Sequence, residues 1–299
     1  MLPDDWQLTH DIDDFLARAG DFLRSRPALH NTPLTDIERL RTRRTDDVSG
    51  ADAPVFGRLE AGGEVRAIFY LTPRGRLGLT PLSADRTDTL ASHLAELGHS
   101  PAHVIADHDT AGAFAESWQR HTSAVPVPFW RTHLYRLGTL TPPRSHAEGR
   151  GRGRVAGEAD REQVVRWCRE FCVAVGEQAS IDLIDAGSWS DSRFGDRHFT
   201  LWETPDGTPA SMAATTSIVG GMVRVDPVYT PAHLRGHGYA GAVTVEVSRT
   251  ALTAGATDVV LFTDPDNPTS NALYQRVGYV HVADFTGYRF SYGTPEAGF

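Results

Sequence analysis

The strongest constraint on the fold is an order of elements that the chain reads twice, once on each side of an exposed seam. The seam is Thr141-Pro-Pro-Arg-Ser-His-Ala-Glu-Gly-Arg-Gly-Arg-Gly-Arg154, rich in proline and glycine and without an apolar side chain except Ala147. Such a composition suits a connection held in water. Before it, Ile12, Phe15, Leu16, Ala19, Phe22 and Leu23 recur at three-and-four spacing, which predicts an amphipathic helix. Strand-like runs follow at Pro54–Leu59, Val65–Leu71 and near Leu77–Leu82, then a helix over Arg86–Leu97. A strand at His103–Ala106, a helix at Ala111–His121 and a run at Phe129–Leu137 close the half.

After the seam the order repeats. A short run at Arg154–Ala156 precedes a helix whose apolar stripe is Val164, Val165, Cys168, Phe171, Cys172 and Val175. Runs at Phe199–Glu203, Pro209–Val219 and Met222–Thr230 are separated by Pro205-Asp206-Gly207 and Gly220-Gly221 turns. A helix from Gly236 to about Thr253, a strand Val259–Thr263, a helix Thr269–Val277 and a final run Tyr279–Phe290 complete it. A length of 299 residues fits two domains at about 150 each. The expected architecture is α/β (α+β): two tandem copies of one fold, each a mixed, mostly antiparallel sheet flanked by helices. The domains are expected at residues 1–140 and 154–299, joined by a linker at 141–153. The halves share element order and little residue identity.

One stretch of the second half carries chemistry, Val228-Tyr-Thr-Pro-Ala-His-Leu-Arg-Gly-His-Gly-Tyr-Ala-Gly-Ala242. A strand ends, a loop holds Arg235, Gly236, His237 and Gly238, and an apolar-periodic helix begins with Tyr239 and Ala240. The two glycines let backbone amides turn outward and approach a ligand closely. The helix start adds partial positive charge, and Arg235 a planar donor fork. Together these predict a pyrophosphate cradle. His237 is either a phosphate contact or an ordinary loop histidine.

The pattern Arg-x-x-Gly-x-Ala at Arg235, Gly238 and Ala240 resembles the phosphate-binding motif of the GCN5-related N-acetyltransferase (GNAT) superfamily. Downstream, Asn267, Tyr274 and the pair Gly278-Tyr279 resemble that family's second signature, with Asn267 and Tyr274 seven residues apart. The resemblance is specific over about residues 150–290, and over 1–140 it rests on element order alone. It implies an acetyl-CoA-dependent acyltransferase. In it, Val228, Tyr229 and Thr230 pair by main chain with the pantetheine arm, and the amides from Arg235 through Gly236, His237, Gly238 and Tyr239 to Ala240 hold the pyrophosphate. Asn267, and with it Asn271, meets the pantetheine arm, and Tyr274 protonates the departing thiolate. Acetyl-CoA is the expected cosubstrate and no metal is expected.

Thioester aminolysis needs a neutral amine, a donor for the carbonyl oxygen and an acid for sulfur. Arg224, Asp226 and Val228 alternate along one strand, so Asp226 can face the substrate as a base. Family members often carry a glutamate where this chain has Arg224, which leaves the base open between Asp226 and, through water, Glu203 or His198. The first half reads Leu82-Ser-Ala-Asp-Arg-Thr-Asp-Thr-Leu90 at the corresponding place, with no glycine and with Asp85 and Asp88 to repel phosphate. It is expected to be a degenerate copy that binds no acetyl-CoA, and that walls an acceptor cleft or forms a homodimer surface.

Composition narrows the chemistry further. Lysine is absent, so Schiff-base enzymes and Walker-type phosphate sites are excluded. A net charge of −9, spread over both halves, argues against nucleic-acid binding and suits a cationic acceptor. No run is long enough for a membrane span, and the N-terminus lacks the pattern of a signal peptide, so a cytoplasmic enzyme is expected. Cys168 and Cys172, four apart on a helix, read as buried free thiols. The sequence thus points to an N-acetyltransferase acting on a primary amine of a small molecule. The alternatives are a non-catalytic acyl-CoA-binding protein and a protein N-acetyltransferase.

Overall fold

A computed structural model describes residues 6–42, 53–142 and 151–292 of the chain. Most of the expected seam, residues 143–150, lies outside the described residues. Contacts divide the chain into two compact units, one of Met1–Leu134 with Val282–Phe299 and one of Tyr135–His281. This division differs from the boundary drawn at the seam. The last strand of the chain, assigned by sequence to the second half, packs for most of its length in the first unit.

The first unit opens with β1 (Trp6–Thr9), α1 (Ile12–Ser25) and α2 (Asn31–Thr42). The α1 stripe is as expected, with Ile12, Phe15, Ala19 and Leu23 buried and Asp11 capping the first turn. Neither β1 nor α2 was foreseen. β1 is too short to show alternation, and α2 has weak amphipathic character behind a proline at its third position. Strands β2 (Val55–Ala61), β3 (Glu64–Leu71) and β4 (Arg76–Leu79) form an antiparallel meander, followed by α3 (Ala84–Glu96), β5 (His103–Asp107), α4 (His108–Thr122) and β6 (Val125–Leu137). β5 lies parallel to β4 and antiparallel to the C-terminal strand β12 (Tyr279–Ser291), with Phe285 opposite Asp107 and Arg289 opposite His103. Phe290 enters the same core as Leu77, Val104, Phe114 and Trp118, and Tyr292 accepts a hydrogen bond from Trp118 Nε1 at 3.1 Å.

The second unit holds β7 (Arg152–Val155), α5 (Arg161–Val175), α6 (Gln178–Asp185), β8 (His198–Glu203), β9 (Pro209–Thr215), β10 (Met222–Tyr229), α7 (Tyr239–Thr253), β11 (Asp258–Thr263) and α8 (Pro268–Val277). Strands β7 to β10 are antiparallel neighbours in sequence order, and β11 joins β10 in parallel. Side chains alternate between two cores. Trp202, Ala213, Val223 and Val225 pack with α7, whereas Leu201 and Met212 pack with α5 and α6. Cys168 and Cys172 are free and buried in the α5 core, and burial pushes the Cys172 thiol up to about 12. Gly278 ends α8 in the left-handed region, and a Cβ there would stand 1.9 Å from the Thr139 carbonyl oxygen. That contact is the physical reason for glycine in the Gly-Tyr signature.

Candidate active site

The site of the second unit is built where β10 stops following its neighbours. Parallel pairing with β11 runs from Met222 opposite Asp258 to Arg224 opposite Val260 and goes no further, although both strands continue. On the other side, the register with β9 slips between Val225 and Val228, at the Asp226-Pro227 peptide. A one-residue slip exchanges the faces of every later side chain. Val223 and Val225 face α7, and so does Val228, whereas Tyr229 packs among the residues of α5 and α6. Simple alternation placed Asp226 and Val228 on one face, and the bulge separates them. It also leaves the β11-facing side of β10 beyond Arg224 without a strand partner among the described residues.

The side chains at the end of β10 are committed to the protein. The Tyr229 hydroxyl donates to Glu170 Oε2 at 2.8 Å, and burial with that charge pushes its phenol up to about 12. Thr230 Oγ1 lies 2.8 Å from Ser211 Oγ, which also donates to the Tyr229 carbonyl. What Val228, Tyr229 and Thr230 can offer a ligand is therefore main chain.

A short 3-10 turn, Ala232–Leu234, then leads into the loop and α7. Gly236 and Gly238 have φ of +80° and +83°, and a Cβ at either would meet nothing within 4 Å. Gly238 is the N-cap of α7 and supplies no side chain to the orphan amides of the first turn. The amides of Gly236, His237, Gly238, Tyr239, Ala240 and Gly241 donate to no described group. Arg235 is exposed, its Nε donates to the Thr230 carbonyl at 3.1 Å, and it makes no ion pair among the described residues. Six unpartnered amides at a helix start, open space over two glycines and one cation are groups that can hold a polyanion.

α8 packs against α7, and its Leu273 and Tyr274 join the core cluster that also takes Val228 of β10. Asn267 is the N-cap of α8, exposed, with Oδ1 accepting from the Ser270 amide at 3.0 Å. Two helical turns from Asn267 to Tyr274 thus begin one residue outside the helix. Asn271 is the better-placed amide. Its Nδ2 donates to the carbonyls of Asp264 and Pro265, which leaves Oδ1 buried with no partner. An orphaned buried acceptor fits an amide-bearing ligand arm. Tyr274 is half-buried, its ring 6.1 Å from that of Tyr279, and its hydroxyl has no hydrogen-bond partner among the described residues. Burial pushes its phenol well above the usual range and the Asp226 charge adds to this, so the proton is retained at neutral pH.

Asp226 is unlike the base expected from sequence. Arg193 Nη1 donates to Asp226 Oδ2 at 2.7 Å, Arg197 Nη2 lies 3.9 Å away, and Arg193 Nε reaches Glu177 Oε2 at 2.9 Å. Burial opposes the charge, but the three guanidinium groups of Arg193, Arg197 and Arg224 outweigh it and hold the carboxyl below its ordinary range. A carboxylate so held is a poor proton acceptor. The other candidates are placed no better. Glu203 is buried in ion pairs with Arg154 and Arg152, and His198 is exposed, with Nε2 3.1 Å from Ser217 Oγ. Arg193, Arg197 and Glu177 carry no sequence signal, because they stand in irregular connections and meet Asp226 only through the fold.

The first unit repeats the parallel pairing, Arg76 to Gly78 against His103 to Ile105, but closes the space beyond it. Thr110, in the first turn of α4, accepts from the Leu82 amide at 3.0 Å and donates to the Leu82 carbonyl at 3.4 Å. The connection from β4 to α3, Thr80-Pro81-Leu82-Ser83, holds no glycine, and Asp85 lies in the first turn of α3.

No family model matches the sequence, and no curated protein matches it. Solved structures do. A GCN5-related N-acetyltransferase from Sphaerobacter thermophilus is 17% identical, with a TM-score of 0.55 over 97% of this chain and 96% of its own. A tandem GNAT protein from the clavulanic acid biosynthesis pathway is 12% identical, with a TM-score of 0.54 over 98% and 100%. A GCN5-related N-acetyltransferase from Kribbella flavida is 19% identical, with a TM-score of 0.50 over 76% and 87%. The fold is that of a tandem GCN5-related N-acetyltransferase, as the sequence resemblance implied.

Proposed function

We propose that the second unit transfers an acetyl group from acetyl-CoA to the primary amine of a small molecule. The observation that carries this reading is the row of unpartnered amides from Gly236 to Gly241, set beside the open side of β10 and a partnerless phenol at Tyr274. When bound, acetyl-CoA supplies a thioester carbonyl and a thiolate leaving group. The α7 amides and Arg235 would hold its pyrophosphate, while the β10 main chain and Asn271 Oδ1 would align its pantetheine arm. Tyr274 would hold a proton at its phenol oxygen and release it to sulfur as the amide forms, while the nitrogen gives one proton to solvent and the phenol recovers one from it. Asp226 fixes the bulge through Arg193 and takes no proton, so the acceptor enters as its neutral amine. Thr110 would keep the first unit free of acetyl-CoA by occupying the backbone of Leu82.

A small acceptor is supported by the fold-level likeness to a tandem protein of clavulanic acid biosynthesis. The lack of a free base at Asp226 favours a second reading, an acyl-CoA-binding protein without turnover. Release of coenzyme A thiol across a panel of aminoglycoside-like amines, amino sugars and lysine peptides separates the two. Acetylated product from a small amine supports the first reading. Tight acetyl-CoA binding with no product from any amine sinks it in favour of the second, and product from peptides alone assigns a protein acceptor.

A further inference from the structure

One side chain in the amide row is a titratable imidazole, and its tautomer is set by its surroundings. His237 Nδ1 lies 2.9 Å from the Arg235 carbonyl oxygen and 3.3 Å from that of Leu234. Carbonyl oxygens only accept, so Nδ1 carries the hydrogen. The ring stacks on Tyr239, with centroids 5.6 Å apart and planes 14° apart, which fixes its orientation at the start of α7. In the neutral imidazole, Nε2 is then a bare lone pair. The groups against the ring are the Arg235 backbone, the Leu234 carbonyl and the Tyr239 phenol, and no carboxylate pairs with it among the described residues.

We propose that occupation of the cradle by a pyrophosphate is coupled to uptake of one proton at His237 Nε2. The inference rests on reading the cradle as the pyrophosphate site. A lone pair beside phosphate oxygens is repulsive, whereas an Nε2–H is both a donor and a positive charge. Because Nδ1 is already tied to carbonyls, the imidazole cannot avoid the conflict by exchanging tautomers. The proton comes from solvent, the phosphates keep their charge, and the cation gained takes the place that a lysine ammonium fills in other phosphate sites. This chain has no lysine to supply one.

The probe is 3′-dephospho-coenzyme A, whose pyrophosphate carries no group that titrates near neutral pH. Its binding to the full chain is followed by calorimetry in buffers of different ionisation enthalpy. In the wild-type protein the heats should report net proton uptake, and affinity should fall about tenfold from pH 6 to pH 8.5, the effect of one pKa unit. His237→Asn keeps an N–H donor near the place of Nδ1 and removes Nε2. It should bind with no proton uptake and with less than about a twofold change over the same pH range. Arg235→Gln should bind more weakly at every pH while retaining the uptake. Equal uptake by wild type and His237→Asn would overturn the proposal. Failure of both to bind the probe would overturn the proposed function and this inference with it.

Discussion

Asp226 Oδ2 stands 2.7 Å from Arg193 Nη1, joining the bulge of β10 to the connection that precedes β8. The pair engages the carboxylate that sequence alternation offered as a base. Its charge also reaches Tyr274, where it adds to burial in raising the phenol.

Replacing Asp226 by Asn should therefore act on stability. Arg193 would keep its ion pair with Glu177 and lose the Asp226 charge, at a cost of about 2 kcal/mol for a partly buried charged hydrogen bond. A lowered Tm, with a pH–rate profile of unchanged shape, is the expected result. Loss of an acidic limb from kcat/KM in this variant would instead mark Asp226 as the base.

Tyr274→Phe keeps the ring packed on Tyr279 and removes only the acid. Turnover should fall by about a hundredfold or more, the usual range for a positioned proton donor. Affinity for coenzyme A, measured by calorimetry, should stay within about twofold, since the pyrophosphate amides are untouched. Full turnover in the variant would remove Tyr274 from the chemistry.

Calorimetry of the full chain should give one acetyl-CoA site. The Thr110–Leu82 hydrogen bonds close the first unit where the second is open, and Asp85 opposes a phosphate there. A stoichiometry of two would refute the description of the first unit as a degenerate copy.

Phe290→Ala should destabilise the first unit although it lies nine residues from the end of the chain. Truncating a buried Phe costs about 3–5 kcal/mol, and this ring packs against the stacked pair Phe114 and Trp118. Hydrogen exchange should quicken in β5 and α4, which share that core.

The first unit should also lose stability in acid. His103 lies between Arg76 and Arg289 on adjacent strands, and burial, with those two charges, lowers it to about 4 from its ordinary 6.5. An unfolded chain then binds more protons over that window, so the contribution is complete above about 6.5 and drains away as pH falls toward 4. Urea denaturation of His103→Gln should show a shallower slope between those values than the wild type.

Periodicity and turn chemistry alone were enough for most of the elements, though not for β1, α2 or α6, and for the glycine loop that opens α7. The stripe of α1, the left-handed glycines 236 and 238, and the helix start at Tyr239 all follow from local sterics and hydrogen bonding, which neighbouring residues dictate. Other features needed the fold. The bulge at Asp226 breaks the period-two rule, and nothing beside it in the sequence says so. Arg193 meets Asp226 across 33 residues, and Thr110 meets Leu82 across 28. β12 completes a unit whose other strands end at residue 137, because its pairing partner β5 lies nearly two hundred residues away along the chain. Local interactions wrote most of the elements and the glycine loop before α7 into the sequence. The ion pair that disarms Asp226, the hydrogen bonds that close the first unit and the strand that completes it depend on groups brought together only when the chain has folded.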